Sequence, residues 1–348
     1  MRPSFRPQLI NDPFDDPGVL VAFGHQNRAL LFDLGEIQSL APRDILKITH
    51  VFVTHTHMDH FCGLDRLVRL MLGREKTLHL YGPEGFIEKV GHKLAGYTWN
   101  LVNHYNHPFE IVATEVSNRH RVITRFSCQG GFKPAGRRIR DDSPLVCLQE
   151  PDFTVTAAVL DHRIPCLGFR LQQRFHVNII ASRLTGLGLE PGPWLQLFKK
   201  ALYRDLPPDT AMADLGQIPQ AAAGMTLGRL ASEIAKITAG QVIAYIADAI
   251  FDKSNYKLML ELAAGADQLF IEAAFLEADR QMAARKYHLT AAQAGLIAGK
   301  AGARKMTIFH HSPRYMHQAD KLRQEARRAY CRALAESQDP FQPVRKDL

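Results

Sequence analysis

The chain has 348 residues, of which 46% are hydrophobic and 22% charged, and a formal net charge of +8. This composition is typical of a soluble globular protein, and no stretch approaches the roughly 18 consecutive apolar residues of a membrane-spanning helix. The N-terminal residues lack the apolar core of a signal peptide, and the five cysteines include no CxxC pair. These features predict a cytoplasmic protein with reduced thiols and exclude a disulfide framework or a thiolate zinc site.

The first half of the chain predicts strands followed by helices. Apolar runs at residues 19–23 and 29–33 flank a polar turn and predict a β-hairpin, after which a strand is predicted at 48–53. Apolar spacing within 64–72 predicts a helix. The segment "TLHLYGPEGF" then predicts a strand, a turn and the start of another helix.

The second half continues the alternation. Residues 100–160 predict more strands, with a polar interruption at "CQGGFKPAGRRIRDDSP". Later, "GQVIAYIADA", "ADQLFIEAAF" and "KMTIFHHS" each end a predicted strand with polar residues, and "TAAQAGLIAGKAGA" predicts a helix. The pattern predicts an α/β layered fold in a single domain over 1–348, with short insertions near 100–150 and 170–240. The tail "QADKLRQEARRAYCRALAESQ" predicts an amphipathic C-terminal helix that packs on the domain or on a second copy.

A cluster of metal-binding side chains follows the strand at 48–53. The stretch "FVTHTHMDHFCGL" places His55, His57, Asp59 and His60 within six residues. Neutral imidazole and carboxylate are ligands that suit zinc and other borderline divalent ions. Two rings in a His-x-His pair can reach one ion, while the following aspartate and histidine can turn toward a second. The cluster therefore predicts a metal site.

Further ligands are expected at the ends of later strands, because one turn cannot complete two coordination shells. The candidates are His162, Asp248 and His310. Asp161 and His311 are adjacent to two of these positions, and the spacing alone does not decide between the neighbours.

Several motifs identify a family resemblance. The segment "THTHMDH" resembles the HxHxDH signature of the metallo-β-lactamase fold, and the remainder is similar to its ribonuclease Z branch, the tRNA 3′-processing endonucleases. The similar segments run in the family's order from about residue 18 to 316: "LLFDLGEIQ", "LYGPEGF", "LDHRIPCLGFRL", "GLEPGPWLQLFKK", "FIEAAF", "YHLTAAQA" and "HHSPRY". The resemblance implies a four-layer αββα sandwich.

The resemblance also implies two divalent metal ions per chain, about 3.5 Å apart, with zinc as the first choice and manganese as the alternative. Its implied ligands form three sets: His55, His57 and His162 for one ion; Asp59, His60 and His310 for the other; and Asp248 as the bridge. Some flanking residues depart from the family pattern, since the usual GDT around the bridging aspartate is Ala247-Asp248-Ala249 here.

Catalytic roles follow from the same resemblance. Asp59 would orient the attacking hydroxide and accept its proton, and His288, polarised by Glu272, would protonate the leaving ribose 3′-oxygen. The family's HEAT segment reads Ile271-Glu272-Ala273-Ala274 in this chain. An alternative role for His288 is to cap the helix that is predicted to begin near Thr290.

Substrate contacts are predicted from charge and from the resemblance. Lys199 and Lys200 follow a segment that resembles the base of the tRNA-gripping exosite, although the stretch at about 170–200 looks short, and Arg314 lies in "HHSPRY". The basic residues of "GGFKPAGRRIR" predict either a solvated loop or a contact with the RNA backbone.

Three functions compete at this point. The first is a ribonuclease Z-like endoribonuclease that acts on a tRNA precursor, in a protein that resembles a homodimeric family. The second is a hydrolase of cyclic nucleotides or other small phosphodiesters on the same scaffold, because a fold does not fix a substrate. The third, a non-catalytic RNA-binding relative, is disfavoured because every implied metal ligand is present.

Overall fold

Two large β-sheets and their flanking helices make up most of the computed structural model, which describes residues 3–24 and 26–335. The strands of the first sheet are β1 (Phe5–Leu9), β2 (Val19–Phe23), β3 (Ala29–Phe32), β4 (Ile48–Phe52), β5 (Lys76–Gly82), β6 (Phe109–Val116), β7 (Arg121–Ser127) and β8 (Pro134–Arg140). The later strands are β9 (Val146–Gln149), β10 (Phe153–Asp161), β11 (Pro165–Gln173), β12 (Phe175–Ile179), β13 (Ala235–Ala239), β14 (Val242–Ile246), β15 (Gln268–Glu272) and β16 (Met306–Phe309).

The α-helices fall mainly between strands. They are α1 (Pro42–Ile45), α2 (Met58–Phe61), α3 (Leu64–Met71), α4 (Phe86–Ala95), α5 (Ala181–Gly186), α6 (Trp194–Tyr203), α7 (Gln220–Ala223), α8 (Leu227–Ile234), α9 (Lys253–Ala263), α10 (Arg280–Lys286), α11 (Ala291–Lys300) and α12 (Ala319–Ala335). In this part of the chain no helix has the length and apolar character needed to cross a membrane.

The first sheet holds its eight strands in sequence order, from β1 to β8. Strands β3, β4, β5 and β6 run parallel, so their carboxyl ends lie at one end of the sheet. The second sheet has the order β16-β15-β14-β11-β10-β9, in which β14, β15 and β16 are also parallel. Parallel strands with covered faces are built from nearly continuous apolar runs, as in "VIAYI" of β14.

Aromatic rings fill the space between the two sheets. Phe32 of β3 stacks on Tyr245 of β14, with ring centroids 5.8 Å apart, and Phe52 of β4 packs against Phe169 of β11 at 5.6 Å. On the opposite face of the first sheet, buried side chains of α3 and α4 join the same apolar cluster as Leu80 of β5. Helices therefore cover the outer face of a sheet whose inner face meets a second sheet, which confirms the predicted αββα sandwich.

Contacts group the chain into two compact units. The larger unit contains Phe5–Cys147, Thr156–Arg170 and the chain from Ile243 onward, and the smaller unit contains the chain up to Ser4 with Leu148–Val155 and Leu171–Val242. The smaller unit has its own two-stranded sheet, β12 with β13, and its own apolar cluster, which includes Trp194 and Leu230. One domain over 1–348 stays a prediction, and residues 1, 2, 25 and 336–348 lie outside the described part.

Two predicted segments differ from the structure. The expected short stretch at 170–200 is longer, because Phe175 pairs with Ala239 and the helices α5 to α8 lie between them. The polar interruption after residue 128 contains β8, whose residues are all exposed. An edge strand with both faces in solvent has no apolar alternation, so the hydrophobic pattern could not reveal it.

The C-terminal helix α12 packs against α11 of the larger unit. A β-carbon on Gly295 would lie 2.1 Å from the Ala326 carbonyl oxygen, so the two helices approach as closely as a glycine allows. The predicted packing role of the amphipathic tail is thus observed for the residues up to Ala335, and the last three residues of the quoted tail lie outside the described residues.

Candidate metal centre

A cluster of histidines and carboxylates forms where several parallel strands of the larger unit end. Thr54 to His57 follow β4, and α2 then brings Asp59 and His60 back toward the same place. The remaining members each follow or end a strand: His162 after β10, Asp248 after β14, Glu272 at the end of β15 and His310 after β16. The carboxyl ends of parallel strands are the usual location of a ligand site in such sheets.

Asp248 lies between two sets of imidazoles. Its Oδ2 is 3.5 Å from Nε2 of His162 and 3.8 Å from Nε2 of His55. Its Oδ1 is 2.8 Å from Nδ1 of His310 and 3.6 Å from Nε2 of His60. Each carboxylate oxygen therefore faces a different set of potential ligands, which is the arrangement expected of a bridging carboxylate.

Three groups of ligand atoms are tight enough to hold one ion each, with every atom within 4.8 Å of the others. They are His55, His57, His162 and Asp248; Asp59, His60 and His310; and Asp248, Glu272, His288 and His310. The first two groups contain the seven ligands implied by the sequence. The third group brings Glu272 and His288, two of the three predicted catalytic residues, into the same cluster.

The chemistry of the cluster fits divalent metal ions. Among the described residues, Nε2 of His60, Oδ1 of Asp248 and Nδ1 of His310 are buried atoms that form no hydrogen bond of good geometry, although the last two are only 2.8 Å apart. A buried polar atom left unsatisfied costs about 1–3 kcal/mol, so three of them in contact indicate a missing common partner. Imidazole and carboxylate suit zinc and manganese, and the thiolates of a structural zinc site are not needed.

The carboxylates of the cluster remain ionised despite their burial. Burial alone would raise the pKa of Asp248, yet His310 and His60 hold it well below its usual value. Burial likewise opposes a positive charge on His60, but Asp33 and Asp248 outweigh that effect and raise the pKa of His60 to about 10. The site therefore stabilises positive charge between its carboxylates, either as protons on imidazole or as metal cations.

Asp33 fixes the orientation of one of these imidazoles. Its Oδ2 accepts hydrogen bonds from the Tyr245 hydroxyl and from His60 Nδ1, both at 2.8 Å, and from the Thr54 hydroxyl at 3.0 Å. With Nδ1 donating, the lone pair of His60 is on Nε2, which faces Asp248. The sequence interpretation missed Asp33, although its place after β3 in "LLFDLGEIQ" was a usable signal.

Two glycines hold the metal-binding turn against the loop after β3. A β-carbon on Gly35 would lie 2.3 Å from the carbonyl oxygen of Asp59, and one on Gly63 would lie 2.3 Å from the carbonyl oxygen of Gly35. Real β-carbons do not approach a carbonyl oxygen so closely, so both positions require glycine. The turn that contains four predicted ligands is thereby fixed by backbone packing.

The cluster opens into a cavity of about 520 Å³. His288 lines this cavity and donates from Nδ1 to Oε2 of Glu272 at 2.9 Å. Burial disfavours a charged His288, but Glu272 outweighs it and raises the pKa of the imidazole. The helix α11 begins at Ala291 and is capped by Thr290, whose hydroxyl accepts a hydrogen bond from the backbone of Gln293, so the alternative capping role of His288 is wrong.

The other predicted residues lie outside the cluster. Asp161 accepts a hydrogen bond from the Arg163 backbone at 2.7 Å, and His311 lines the cavity but donates to the Ala273 carbonyl at 2.9 Å. Arg314 lies outside the cavity lining, and its Nη1 is 3.5 Å from Oδ1 of Asp279. Lys199 and Lys200 lie on α6 of the smaller unit. Roles in substrate binding for these last three residues stay predictions.

Comparisons with known proteins give consistent results. Residues 31–177 match the beta-lactamase superfamily domain. The chain is 30% identical over 299 residues to Ribonuclease Z of Deinococcus radiodurans, covering 84% of this chain and 85% of the relative. It is 31% identical over 316 residues to Ribonuclease Z of Thermobifida fusca, covering 89% and 83%. The metallo-beta-lactamase fold protein YhfI from Bacillus subtilis shares the fold, with a TM-score of 0.50, 19% identity and coverage of 91% and 86%.

Proposed function

The chain belongs to the ribonuclease Z family, a family of metal-dependent phosphodiester hydrolases, and from this premise we propose that it cleaves 3′ extensions from tRNA precursors with two divalent metal ions. The observation that carries the two-ion proposal is the position of Asp248. One of its oxygens faces His55 and His162, and the other faces His60 and His310. A single carboxylate with ligands on both sides is suited to bridge two ions.

The proposed ligand sets are His55, His57 and His162 for one ion, Asp59, His60 and His310 for the other, and Asp248 shared. Zinc is the preferred ion on ligand chemistry, with manganese as the alternative. Bound there, such ions supply a Lewis acid for the phosphate and a water of lowered pKa. Side chains of this protein would orient the attacking water and protonate the leaving group.

Asp59 is the proposed base and orienting group for the attacking water. Its side chain is 41% exposed, unlike that of the buried His60 beside it, and Oδ2 accepts a hydrogen bond of 3.1 Å from Nε2 of His310. That contact fixes one carboxylate oxygen and leaves the other for water. Burial would raise the pKa of Asp59, but His310 and His60 hold it below its usual value, so the carboxylate is ready to accept a hydrogen bond.

His288 is the proposed acid for the leaving group. Oε2 of Glu272 accepts a hydrogen bond from Nδ1–H of His288. Oε1 accepts hydrogen bonds from the backbone N–H groups of Ala249 at 2.9 Å and Leu289 at 3.2 Å, so the carboxylate is held in place. The imidazole then presents Nε2 to the cavity. A ribose 3′-oxygen needs a proton to leave, and a positioned acid typically contributes about 10²–10⁴-fold.

A second candidate function is hydrolysis of a small phosphodiester, such as a cyclic nucleotide. The feature that favours it is the separation of roles: all residues of the cavity lie in the larger unit, while the predicted RNA contacts Lys199 and Lys200 lie in the smaller one. A small diester would need the cavity alone. The difference between the two functions therefore concerns contacts outside the cavity.

One experiment separates these candidates. The zinc-loaded protein is incubated with a 3′-extended tRNA precursor, with a 2′,3′-cyclic nucleotide and with bis(p-nitrophenyl) phosphate. We expect cleavage of the precursor at one site, with kcat/KM well above that for either small ester. Efficient hydrolysis of a small ester with no cleavage of the precursor would instead establish the second candidate.

Assembly and location complete the proposal. We propose a homodimer on the family resemblance, which light scattering of the purified chain tests directly. A cytoplasmic location agrees with the cysteines, since Cys62, Cys128, Cys147, Cys166 and Cys331 are all free thiols in the structure.

A further inference from the structure

Strand β8 holds a group of cations along the free edge of the eight-stranded sheet. Every residue from Pro134 to Arg140 is exposed. Within residues 3–24 and 26–335, Arg137, Arg138 and Arg140 form no ion pair and no side-chain hydrogen bond. Three adjacent guanidinium groups without an intramolecular partner are available to an anionic ligand.

The register of β7 with β8 assigns these arginines to two different faces. Arg140 is opposite Arg121, and Arg138 is opposite Ile123, so Arg138 and Arg140 share one face with Arg121. Like charges directly opposite each other on a sheet are destabilising. Asp142 lies 3.7 Å from Arg121 and compensates only part of this charge. An anion on this face would remove the remaining repulsion.

Arg137 lies on the opposite face of the same strand. There it lines a separate cavity of about 570 Å³ together with Glu84, Glu88 and Glu115. Arg137 lies in the irregular part of β8, where the register with β7 shifts, and the cavity lining places it beside carboxylates. Arg138 and Arg140 lie on a face with a surplus of positive charge, so the two faces of β8 differ in charge although all three arginines are exposed.

Arg138 lies at the same end of the sheet as the metal-binding turn. The register runs straight across it, from Phe52 to Tyr81, to Thr114, to Ile123 and to Arg138. Phe52 is the last residue of β4, directly before the metal-binding turn. Four strand spacings of about 4.8 Å place Arg138 roughly 19 Å from that strand end.

We propose that Arg138 and Arg140 bind phosphates of the RNA that is cleaved at the metal cluster. This inference rests on the proposed function, since it requires an RNA substrate. A distance of roughly 19 Å exceeds the Debye length of about 8 Å at physiological salt, so the two arginines act on the substrate by contact rather than through their field at the cluster. Their contribution is therefore to RNA affinity, with no effect on the chemical step.

The competing explanation is protection of the sheet edge. Charged side chains on an edge strand hinder pairing with another chain, and this role needs no ligand. Edge protection predicts aggregation when the charges are removed, and it makes no distinction between the two faces of the strand. An RNA contact predicts a loss that depends on the face and on salt.

The test compares the Arg138→Gln, Arg140→Gln double variant with Arg137→Gln as the matched control on the other face. The measured quantities are kcat/KM for a 3′-extended tRNA precursor across a salt series and kcat/KM for bis(p-nitrophenyl) phosphate. For the double variant we expect a loss of about tenfold on the precursor and a salt slope less steep by about 2. The small ester and Arg137→Gln should stay within about twofold of the wild type, as expected for surface residues that do not contact substrate.

The outcomes distinguish this inference from the proposed function. A wild-type protein that cleaves the precursor, with an unchanged salt slope in the double variant, would overturn the RNA contact and leave the function standing. An equal loss in Arg137→Gln, or aggregation of the double variant as the sole effect, would also overturn it. A wild-type protein that fails on the precursor would overturn both.

Precursors with short and long extensions separate two sources of phosphate. A loss that grows with the length of the extension assigns the contact to the 3′ extension, and a constant loss assigns it to the acceptor stem.

Discussion

The metal cluster and the helix α6 both present polar groups, but they are built in opposite ways. In the cluster, His55, His60 and Asp248 are buried and nearly inaccessible to water, and each is fixed by several neighbours. On α6, Trp194 and Phe198 form the apolar core of the smaller unit while Lys200 remains exposed. The cluster holds charged groups inside the protein, whereas α6 carries an exposed charge on a helix whose other side is packed in an apolar core.

This difference indicates which substitutions affect chemistry and which affect affinity. A buried charge is energetically tied to its partners, so its removal disturbs the whole cluster. An exposed lysine interacts mainly with water and with a phosphate of a bound substrate, so its removal changes one contact. Loss of the shared carboxylate in the cluster should therefore impair both the RNA and the small ester, whereas variants of α6 should impair the RNA alone.

Loss of the shared carboxylate should have the largest effect. Asp248→Asn removes a charge that faces both sets of imidazoles, so we expect kcat/KM to fall by more than about 10³ on the tRNA precursor and on bis(p-nitrophenyl) phosphate alike. Metal analysis after zinc loading should find a reduced metal content. Asp161→Asn is the control, because Asp161 is a carboxylate that was the adjacent alternative to His162 and lies outside the cluster. A variant that keeps full metal content and activity would contradict the bridging role.

Loss of the proposed acid should lower the cleavage rate only for substrates whose leaving group needs a proton. We expect His288→Ala to lower cleavage of the tRNA precursor by about 10²–10⁴-fold, because the ribose 3′-oxygen needs a proton to leave. Hydrolysis of bis(p-nitrophenyl) phosphate should be largely spared, since p-nitrophenolate leaves without one. Single-turnover rates on both substrates, with metal content measured in parallel, decide the matter. An equal loss on both substrates with intact metal content would exclude an acid role.

Much of the metal cluster was predictable from the sequence, for a physical reason. Metal ligands must be side chains of a few types, and parallel strands deliver them at one end of a sheet. The same logic could not choose between Asp161 and His162, because Asp161 ends a strand and His162 directly follows it. Only the structure shows that the Asp161 side chain accepts a hydrogen bond from the Arg163 backbone and lies outside the cluster. Asp33 was missed because it orients a predicted ligand instead of being one.

The fold was predicted where periodicity is strong and missed where it is weak. The hairpin of β2 with β3 and the helix α3 have clear apolar patterns and lie where expected. Strand β8 has seven exposed residues and no apolar alternation, so only its pairing with β7 reveals it. The insertion predicted near 170–240 coincides with the main segment of the smaller unit, Leu171–Val242. The pairing of β12 with β13 inside that segment was hidden, because it is non-local and leaves no signal in a short window.

The lysines of α6 should affect RNA cleavage moderately and small-ester hydrolysis hardly at all. Replacing Lys199 and Lys200 by glutamine should reduce the salt slope for the tRNA precursor by about 2 and lower its kcat/KM roughly tenfold at physiological salt. Lys200 should account for more of the loss, because Lys199 is half-buried and burial lowers its pKa. Lys257→Gln, on the exposed surface of α9, is the control. Equal losses on the precursor and the small ester would argue against a contact site on α6.

His50 is a buried histidine that lies outside the cluster and matches no motif. Its ring stacks on His79 with centroids 4.6 Å apart, and the Arg28 guanidinium donates to its Nδ1 at 3.4 Å. Burial, together with His79 and Arg28, lowers the pKa of His50 to about 3. The predicted ligand His60 is also buried but has carboxylate neighbours that raise its pKa, so the two buried side chains have opposite charge preferences.

The smallest effect on activity should come from His50, whose replacement should change stability alone. Because its folded pKa lies below the ordinary value of 6.5, the unfolded chain binds the proton more readily between pH 6.5 and 3. Its contribution is therefore complete above pH 6.5 and is lost as the pH falls, by up to roughly 1.4 kcal/mol per pH unit. We expect His50→Gln to flatten the decline in the free energy of unfolding between pH 6.5 and 4.5, measured by urea denaturation at each pH, without changing hydrolysis of the small ester at pH 7.5. His92→Gln is the matched control, because that side chain is 75% exposed and should leave the pH dependence as it is. A parallel decline in the wild type and His50→Gln would mean that His50 accepts a proton in the folded protein as easily as in the unfolded chain.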